Sequence, residues 1–254
     1  LSGVAHELNN PLSNISSSAQ ILREDPAVDA DFRGQLIADI DSETLRARRI
    51  VRALLDYAGD REFKRAPVAL AELVEETLRF LKAKRPPGVE VRVDIAPDLA
   101  VSGDRPRLQQ VLINLIVNAF DALAEAGGRG GELAIAARAS VAAKGETFPA
   151  HAGQCRPGST VVDLILADNG PGIPEPVLAR IFDPFFTTKA VGHGSGLGLF
   201  ISHEIIEEHG GCIAAANRPE GGATFHIRLP QCSAGVSPAS STPAGETPAP
   251  QKTP

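Results

Sequence analysis

The stretch Ala5–Leu12, which reads AHELNNPL, decides how the rest of this sequence is interpreted. It lies inside a helical pattern over residues 1–24, where apolar residues recur every three or four positions. His6 falls outside the apolar stripe, so we expect its imidazole to face solvent. Pro11 interrupts the pattern and predicts a kink or loosened helical hydrogen bonding. A histidine beside a glutamate has no special role by itself, so its meaning depends on the remainder of the chain.

A second helical pattern covers residues 32–57, and Asp25-Pro26 separates it from the first. Two helices joined by a short loop predict an antiparallel hairpin, which we assign to residues 1–62. Each helix has a wider apolar surface than one partner helix can cover. We therefore expect a homodimer in which two hairpins form a four-helix bundle.

The rest of the chain predicts a mixed domain over residues 63–232. Residues 59–67 are polar and are interpreted as a linker. Residues 139–160 are rich in Ala, Gly and Pro and are interpreted as a surface loop, and residues 233–254 as a disordered tail. Helices are predicted at 70–81, 105–126 and 196–209, and strands at 89–95, 132–138, 161–167, 212–217 and 223–229. This order predicts an α+β fold, an α/β sandwich with helices on one face of a mostly antiparallel sheet.

Composition and charge argue against several classes of function. The formal net charge is −6 and there is no long basic run, so nucleic acid is not an expected partner. No run of about 18 apolar residues occurs, so we expect no membrane contact by this chain. Cys155, Cys212 and Cys232 are widely spaced and odd in number, which favours reduced thiols over a disulfide framework or a metal site. The sequence has no Met, even at position 1, so we expect a further segment upstream.

Two segments contain the polar residues that a nucleotide pocket needs. Asn114, Asn118 and Asp121 are spaced four and three apart, so they share one helix face, where their oxygens can hold a hydrated Mg²⁺. Residues 168–174, DNGPGIP, follow a predicted strand and place Asp168 at its end. Its carboxylate can accept a hydrogen bond from an adenine amino group, and the glycines permit close approach to the backbone. The alternatives are an ordinary polar helix surface and an ordinary tight turn.

Two further segments suit a mobile element and a phosphate site. Residues 182–189, FDPFFTTK, contain three phenylalanines that can anchor a mobile segment to the core. Residues 192–199, GHGSGLGL, run into a predicted helix, so backbone N–H groups and the helix N-terminus can bind phosphate. The spacing matches neither the P-loop nor the Rossmann fingerprint. A glycine-rich loop is weak evidence alone, and the signal lies in the order of all four segments.

In this order and spacing, the four segments resemble the N, G1, F and G2 boxes of the histidine-kinase ATP-binding domain. That domain belongs to the wider superfamily of gyrase, Hsp90, histidine kinases and MutL. Residues 221–225, GGATF, resemble the last nucleotide-contacting turn of the same fold, and residues 5–12 resemble the H box of nitrogen-regulation sensor kinases. The resemblance covers residues 1–230. It implies ATP-dependent autophosphorylation of a histidine, followed by transfer to an aspartate of a response-regulator receiver domain.

The resemblance also implies roles for individual residues. His6 would be the phospho-acceptor, and Glu7 would fix the tautomer of its imidazole. Asn10 would support dephosphorylation of the regulator, although its amide can instead satisfy backbone groups freed near Pro11. Asn118 would hold Mg²⁺. The other nucleotide contacts, under a lid at about residues 175–198, would be Asn114, Asp121, Asp168, Gly170, Gly172, Ile173, Lys189, Gly194, Ser195, Gly196, Leu197, Gly198 and Thr224.

Three other functions can be weighed against this one. An ATP-hydrolysing member of the superfamily would carry a glutamate base four residues before the Mg²⁺-binding asparagine, and Asn114 cannot act as a base. An inactive dimerisation scaffold would have lost Asn118, Asp168 or His6, all of which are present. A serine kinase would lack the histidine hairpin. We expect both domains to be cytoplasmic, with the sensor and any membrane anchor upstream.

Overall fold

The computed structural model describes residues 2–25, 29–58, 63–127, 130–142, 158–189 and 196–232. Two long helices come first and a mixed α/β unit follows. The helices are α1 (Ser2–Glu24), α2 (Ala30–Ala58), α3 (Leu70–Phe80), α4 (Arg105–Glu125), α5 (Glu175–Leu178) and α6 (Gly198–Glu208). The strands are β1 (Ala66–Ala69), β2 (Glu90–Ile95), β3 (Ala100–Gly103), β4 (Glu132–Val141), β5 (Thr160–Asp168), β6 (Cys212–Asn217) and β7 (Ala223–Pro230).

Helices α1 and α2 pack against each other as a hairpin. Leu36 and Ile50 of α2 are buried, and α1 continues through Pro11 without a break in its helical assignment. Large apolar side chains on both helices nevertheless stay exposed: Leu12, Ile21, Phe32, Ile37, Leu45 and Val51. One hairpin therefore leaves an apolar surface uncovered. None of the described helices combines the length and the hydropathy needed to span a bilayer.

The α/β unit is built on a five-stranded sheet in the order β2-β4-β5-β7-β6. Only β2 and β4 pair in parallel, and the other neighbours are antiparallel. Helices α3, α4 and α6 supply one side of a single apolar core. Asp104 caps α4 by accepting a hydrogen bond from the amide of Arg107 at 3.2 Å. The predicted α+β architecture of a helical pair followed by an α/β sandwich is confirmed.

The interpretation of residues 59–67 as a linker is wrong at its end, because β1 begins at Ala66. This strand pairs with β3 to form a separate two-stranded sheet, in which Val68 lies opposite Val101 and both are buried. Among the described strands, β1 pairs with β3 alone. Pro67 is tolerated because the other edge of β1 needs no N–H donor. Four-residue strands contain too few positions for an alternating pattern, and this small sheet therefore escapes prediction.

The predicted loop over residues 139–160 is also too long. Strand β4 extends to Val141 and β5 begins at Thr160, and these two residues pair in register. Alanine is common in this part of β4 and conceals the strand, because its small side chain contributes little to an alternating pattern. Residues 143–157 and the predicted tail at 233–254 lie outside the described residues.

The chain segment that follows the hairpin is fastened to the α/β unit through His209. The amide of Lys64 donates to a carboxylate oxygen of Asp104 at 3.1 Å, and the amide of Asp104 donates to Nε2 of His209 at 2.9 Å. Nδ1 of His209 therefore carries the proton and donates to the carbonyl of Ile205 at 2.6 Å. The ring of Phe63 packs edge to face against the imidazole of His209, with 4.8 Å between the two ring centroids. Burial of this imidazole lowers the pKa of His209.

Candidate functional site

A cavity of about 440 Å³ lies where α4, the turn after β5, the N-terminus of α6 and β7 converge. Its volume is in the range of small-molecule sites. One wall is apolar and consists of Ile173, Val177, Ile181, Phe186, Leu199 and Phe225. The cavity also has two polar parts, one around Asp168 and one around Asn118. An apolar wall combined with two polar parts suits a ligand with a flat ring and a charged tail.

Asp168, the last residue of β5, supplies a buried carboxylate to this cavity and is only 5% exposed. Its Oδ1 accepts hydrogen bonds from the amides of Gly170 at 2.9 Å and Ala223 at 3.2 Å. Two backbone donors stabilise a carboxylate that would otherwise be costly to bury. Both bind the same oxygen, so Oδ2 can accept from a ligand. A buried acceptor beside an apolar wall fits the amino group of an adenine ring.

The turn that contains this acidic residue packs tightly against the turn between β6 and β7. Gly222 has a φ of +89°, and a Cβ there would lie 2.0 Å from the carbonyl oxygen of Asp168. Gly172 has a φ of +78°, and its Cβ would lie 2.9 Å from Oδ1 of Asn217. Neither position can accept a side chain, so glycine is required for the two turns to meet. Gly172 and Ile173 line the cavity, whereas Gly170 does not.

The other polar part of the cavity brings together three predicted residues. Asn118 and Asp121 of α4 line it, and Lys189 reaches them from the segment after α5. The Nζ atom of Lys189 lies 3.3 Å from Oδ1 of Asn118 and forms an ion pair with Oδ2 of Asp121. Amide and carboxylate oxygens in this arrangement suit a hydrated Mg²⁺, and the ammonium group suits a phosphate.

Asn114 has a different place from the one predicted, because it does not line the cavity. Its Nδ2 donates to the carbonyl of Gly198 at 3.1 Å and lies 3.3 Å from the hydroxyl oxygen of Ser202. The hydroxyl of Ser202 donates to the same carbonyl at 2.9 Å. Asn114 therefore ties the first turn of α6 to α4. Its contacts are thus with the elements that frame the cavity.

The remaining predicted residues of the glycine-rich segment divide into two groups. Gly196 and Gly198 line the cavity, whereas Leu197 is 3% exposed and packs into the core. A Cβ at Gly196 would lie 2.2 Å from the carbonyl carbon of Phe185, which itself has a φ of +67°. This close contact joins the phenylalanine-rich segment to the start of α6. Gly194 and Ser195 lie outside the described residues.

Thr224 does not line the cavity, although its neighbours on β7 do. It pairs with Ala167 of β5, while Ala223 and Phe225 face the cavity. Side chains alternate between the two faces of a strand, so the side chain of Thr224 points away from the face that Ala223 and Phe225 share. Sequence resemblance located the strand, and the strand's register in the sheet decided which residue points inward.

The predicted phospho-acceptor region belongs to α1. His6 and Glu7 lie within its first two turns, and Asn10 follows His6 by four residues. Positions four apart lie on the same side of a helix. Asn10 is exposed, so its amide is accessible to another molecule.

Sequence reasoning predicted Ile173 of the apolar wall but missed the other wall residues and Asn217. The wall residues follow the same spacing as core residues, so periodicity cannot distinguish them. Asn217 ends a strand and offers no motif of its own. The nearby segment GGATF at residues 221–225 was the signal that this region approaches the ligand site.

Two family models match the chain. The model of the "His Kinase A (phospho-acceptor) domain" matches residues 1–60. The model described as "Histidine kinase-, DNA gyrase B-, and HSP90-like ATPase" matches residues 103–233. Together they cover the helical hairpin and most of the α/β unit with its cavity.

Two histidine kinases are similar in sequence to nearly the whole of this chain. The signal transduction histidine-protein kinase AtoS of Escherichia coli strain K12 is 34% identical over 91% of this chain and 34% of its own length. The sensory histidine kinase/phosphatase NtrB of Rhizobium leguminosarum bv. phaseoli is 31% identical over 90% of this chain and 57% of its own length. The chain thus spans about a third to somewhat over half of these relatives.

A solved structure of a histidine kinase is also similar to this chain in its three-dimensional fold. The crystal structure of the histidine kinase ThkA in complex with the response regulator protein TrrA is 31% identical to this chain. The similarity covers 91% of this chain and 60% of that one, with a TM-score of 0.61.

Proposed function

Because the chain belongs to the sensor histidine kinases of two-component systems, we propose that it transfers the γ-phosphoryl group of ATP to His6. The phosphoryl group then passes to an aspartate on the receiver domain of a separate response regulator. The observation that carries this proposal is the cavity that joins the buried carboxylate of Asp168 to the polar cluster of Asn118, Asp121 and Lys189. This arrangement matches the two ends of an adenine nucleotide.

The first step exchanges one bond to phosphorus for another. An imidazole nitrogen of His6 attacks the γ-phosphorus, the bond to the bridging oxygen breaks, and ADP leaves. Glu7 holds the imidazole in the tautomer whose free nitrogen points to the phosphate. In the second step an aspartate oxygen of the regulator attacks, and the bond between phosphorus and nitrogen breaks. Both steps depend mainly on positioning and charge neutralisation.

The nucleotide is held by residues from both polar parts of the cavity. Asp168 accepts a hydrogen bond from the adenine amino group, and the apolar wall packs against the ring. Asn118, with Asp121 beside it, would hold Mg²⁺, which would neutralise phosphate charge. Lys189 binds phosphate oxygens, aided by the backbone at Gly196 and Gly198 at the start of α6.

Transfer to histidine is favoured over hydrolysis of ATP by the position of Asn114. A hydrolase of this superfamily would need a general base there. The amide of Asn114 cannot accept a proton at neutral pH, and it is already bound to Gly198 and Ser202 of α6. Among the described residues, Asn114 is not one of those that line the cavity from which a water molecule would attack.

A second activity, dephosphorylation of the regulator, is supported by Asn10. Its amide is exposed and lies on the same side of α1 as His6. An amide in that place can hydrogen-bond a water molecule that attacks the aspartyl phosphate of a docked regulator. The relative named as a histidine kinase/phosphatase supports the same proposal.

The working form in this proposal is a homodimer in the cytoplasm. The exposed apolar side chains of α1 and α2 are covered when two hairpins form a four-helix bundle. A cytoplasmic location follows from the use of ATP as phosphoryl donor. Dimerisation also brings a second ATP-binding unit to each histidine-bearing helix.

Labelling with γ-³²P-ATP and Mg²⁺ tests the kinase proposal. The protein should become labelled, and the label should be lost in acid, because phosphohistidine is acid-labile and phosphoserine is not. The His6→Gln variant should take up no label and still bind ATP. Label that remains on this variant, for example on His203, would show that His6 is not the acceptor. Labelling that survives acid would point to a serine kinase.

A further inference from the structure

We infer that Asn217, at the end of β6, is a positioning residue that holds the turn over residues 168–174 in the shape that binds adenine. The inference rests on the proposed function. The Oδ1 atom of Asn217 accepts a hydrogen bond from the amide of Ile173 at 2.7 Å, and its Nδ2 donates to the carbonyl of Ile173 at 2.6 Å. One side chain thus binds both backbone groups of one residue that lines the cavity.

This pair of hydrogen bonds matters because the turn has no regular structure of its own. Residues 169–174 belong to no helix or strand, so their backbone groups need other partners. Within the described ranges, Ile173 has no hydrogen bond to another backbone group, and Asn217 satisfies both its N–H and its C=O. Without this side chain the position of Ile173 would no longer be determined by hydrogen bonds.

The neighbouring contacts show that Asn217 belongs to a larger clasp on the same turn. A Cβ at Gly172 would lie 2.9 Å from Oδ1 of Asn217, so the amide lies directly against this part of the backbone. The next residue, Arg218, donates from Nη1 to the carbonyl of Asp168 at 3.1 Å. The end of β6 therefore holds the turn at both ends, at the acidic residue and at Ile173.

Asn217 does not line the cavity and acts on the ligand only through the turn. The contact requires one acceptor and one donor in a single plane, which the side-chain amide provides. Aspartate in this position could accept from the amide of Ile173 but would place a second oxygen against its carbonyl. An alanine would remove both hydrogen bonds.

Thr77 provides a control for general stability. It is fully buried in α3, and its hydroxyl donates to the carbonyl of Leu73 at 2.7 Å. Neither Thr77 nor Leu73 lines the cavity or belongs to the turn over residues 168–174. Thr77→Ala removes a buried hydrogen bond and a methyl group from the core, so it should lower thermal stability without acting on the turn.

The test is a titration of the full chain and its variants with ADP, with and without Mg²⁺, followed by calorimetry. Asn217→Ala should weaken ADP binding about tenfold or more, because the turn loses two partly buried hydrogen bonds. Asn217→Asp should also weaken it, because a second oxygen then faces the carbonyl of Ile173. The factor should be the same with and without Mg²⁺, since the clasp acts at the adenine end. Thr77→Ala should bind ADP within about twofold of the wild type.

The possible outcomes separate this inference from the proposed function. If the wild-type chain binds no adenine nucleotide, the proposed function itself fails. If the wild type binds ADP and Asn217→Ala binds it equally well, only the inference fails. An equal loss in Asn217→Ala and Thr77→Ala would also overturn it, because affinity would then follow general stability. A loss that appears only with Mg²⁺ would place the effect at the phosphate end and contradict the inference.

Discussion

The side chain of Lys189 meets that of Asn118 at the polar end of the cavity, with 3.3 Å between Nζ and Oδ1. The same ammonium group is paired with the carboxylate of Asp121. It therefore binds the oxygens that we assign to Mg²⁺. Two cations repel each other at such a distance, so Lys189 would have to leave these oxygens for Mg²⁺ to bind there, and the phosphates would be its new partner.

We expect Asn118→Ala to lose the Mg²⁺ dependence of ATP binding. A hydrogen bond or ligand contact to a charged group contributes about 1.5–3 kcal/mol, so affinity with Mg²⁺ should fall roughly tenfold or more. The measurement is an ATP titration with Mg²⁺ and with EDTA. Asn114→Ala is the control on the same helix, and it should retain the Mg²⁺ dependence because Asn114 faces α6. If both variants keep that dependence, Mg²⁺ is held elsewhere.

The exposed apolar surface of the hairpin predicts a homodimer that a single charge can disrupt. Ile37 of α2 is 54% exposed, and burial of such a side chain contributes about 1.5–3 kcal/mol. Ile37→Asp should therefore weaken the dimer strongly, whereas Asp39→Asn on the same helix should not. Light scattering over a range of concentrations measures the effect. A wild-type chain that is monomeric at micromolar concentration would rule out this mode of assembly.

Asn10 should act in dephosphorylation and not in autophosphorylation. We expect Asn10→Ala to slow the decay of a phosphorylated response regulator, while His6 is labelled by ATP at the normal rate. The reason is that the amide would orient a water molecule, which only the hydrolytic step requires. Asn14→Ala, one turn further along α1, serves as the control. Equal decay rates with the wild type and Asn10→Ala would leave Asn10 with a structural role only.

The folded state should lose stability in mild acid because of His209. Burial lowers the pKa of His209 below its ordinary value of 6.5. As the pH falls below that value, the unfolded chain takes up a proton that the folded chain resists, so the free energy of unfolding decreases. The charged groups near this imidazole are Arg65, Asp104 and Glu208. Protonation would also break the hydrogen bond from the amide of Asp104 to Nε2.

Urea unfolding at pH 7.5 and at pH 5.5 measures this loss. For one histidine it amounts to at most about 1.4 kcal/mol for each pH unit below the ordinary value. The His209→Gln variant removes the titrating group, so its free energy of unfolding should change less between the two pH values. A difference as large as that of the wild type would assign the acid sensitivity to other residues.

Local pattern was enough to determine the elements that carry the site. The spacing of Asn118 and Asp121 places them on one side of α4, and Asp168 ends a strand because glycine and proline follow it. These features depend on helical periodicity and turn chemistry, which act over a few residues and are visible in sequence. Resemblance to a known family added the order of the motifs and hence the identity of the pocket.

Only the tertiary structure decided which of these residues meet. Lys189 contacts Asp121 across 68 positions of sequence, and Asn217 holds Ile173 across 44. Asn114 shares the face of α4 with the polar residues of the cavity, yet its amide binds the first turn of α6. Such contacts depend on the order of strands in the sheet and on the packing of α6 beside α4. These contacts join residues that are far apart in the sequence, so a local sequence pattern cannot predict them. The free energy that favours them comes from the assembled core.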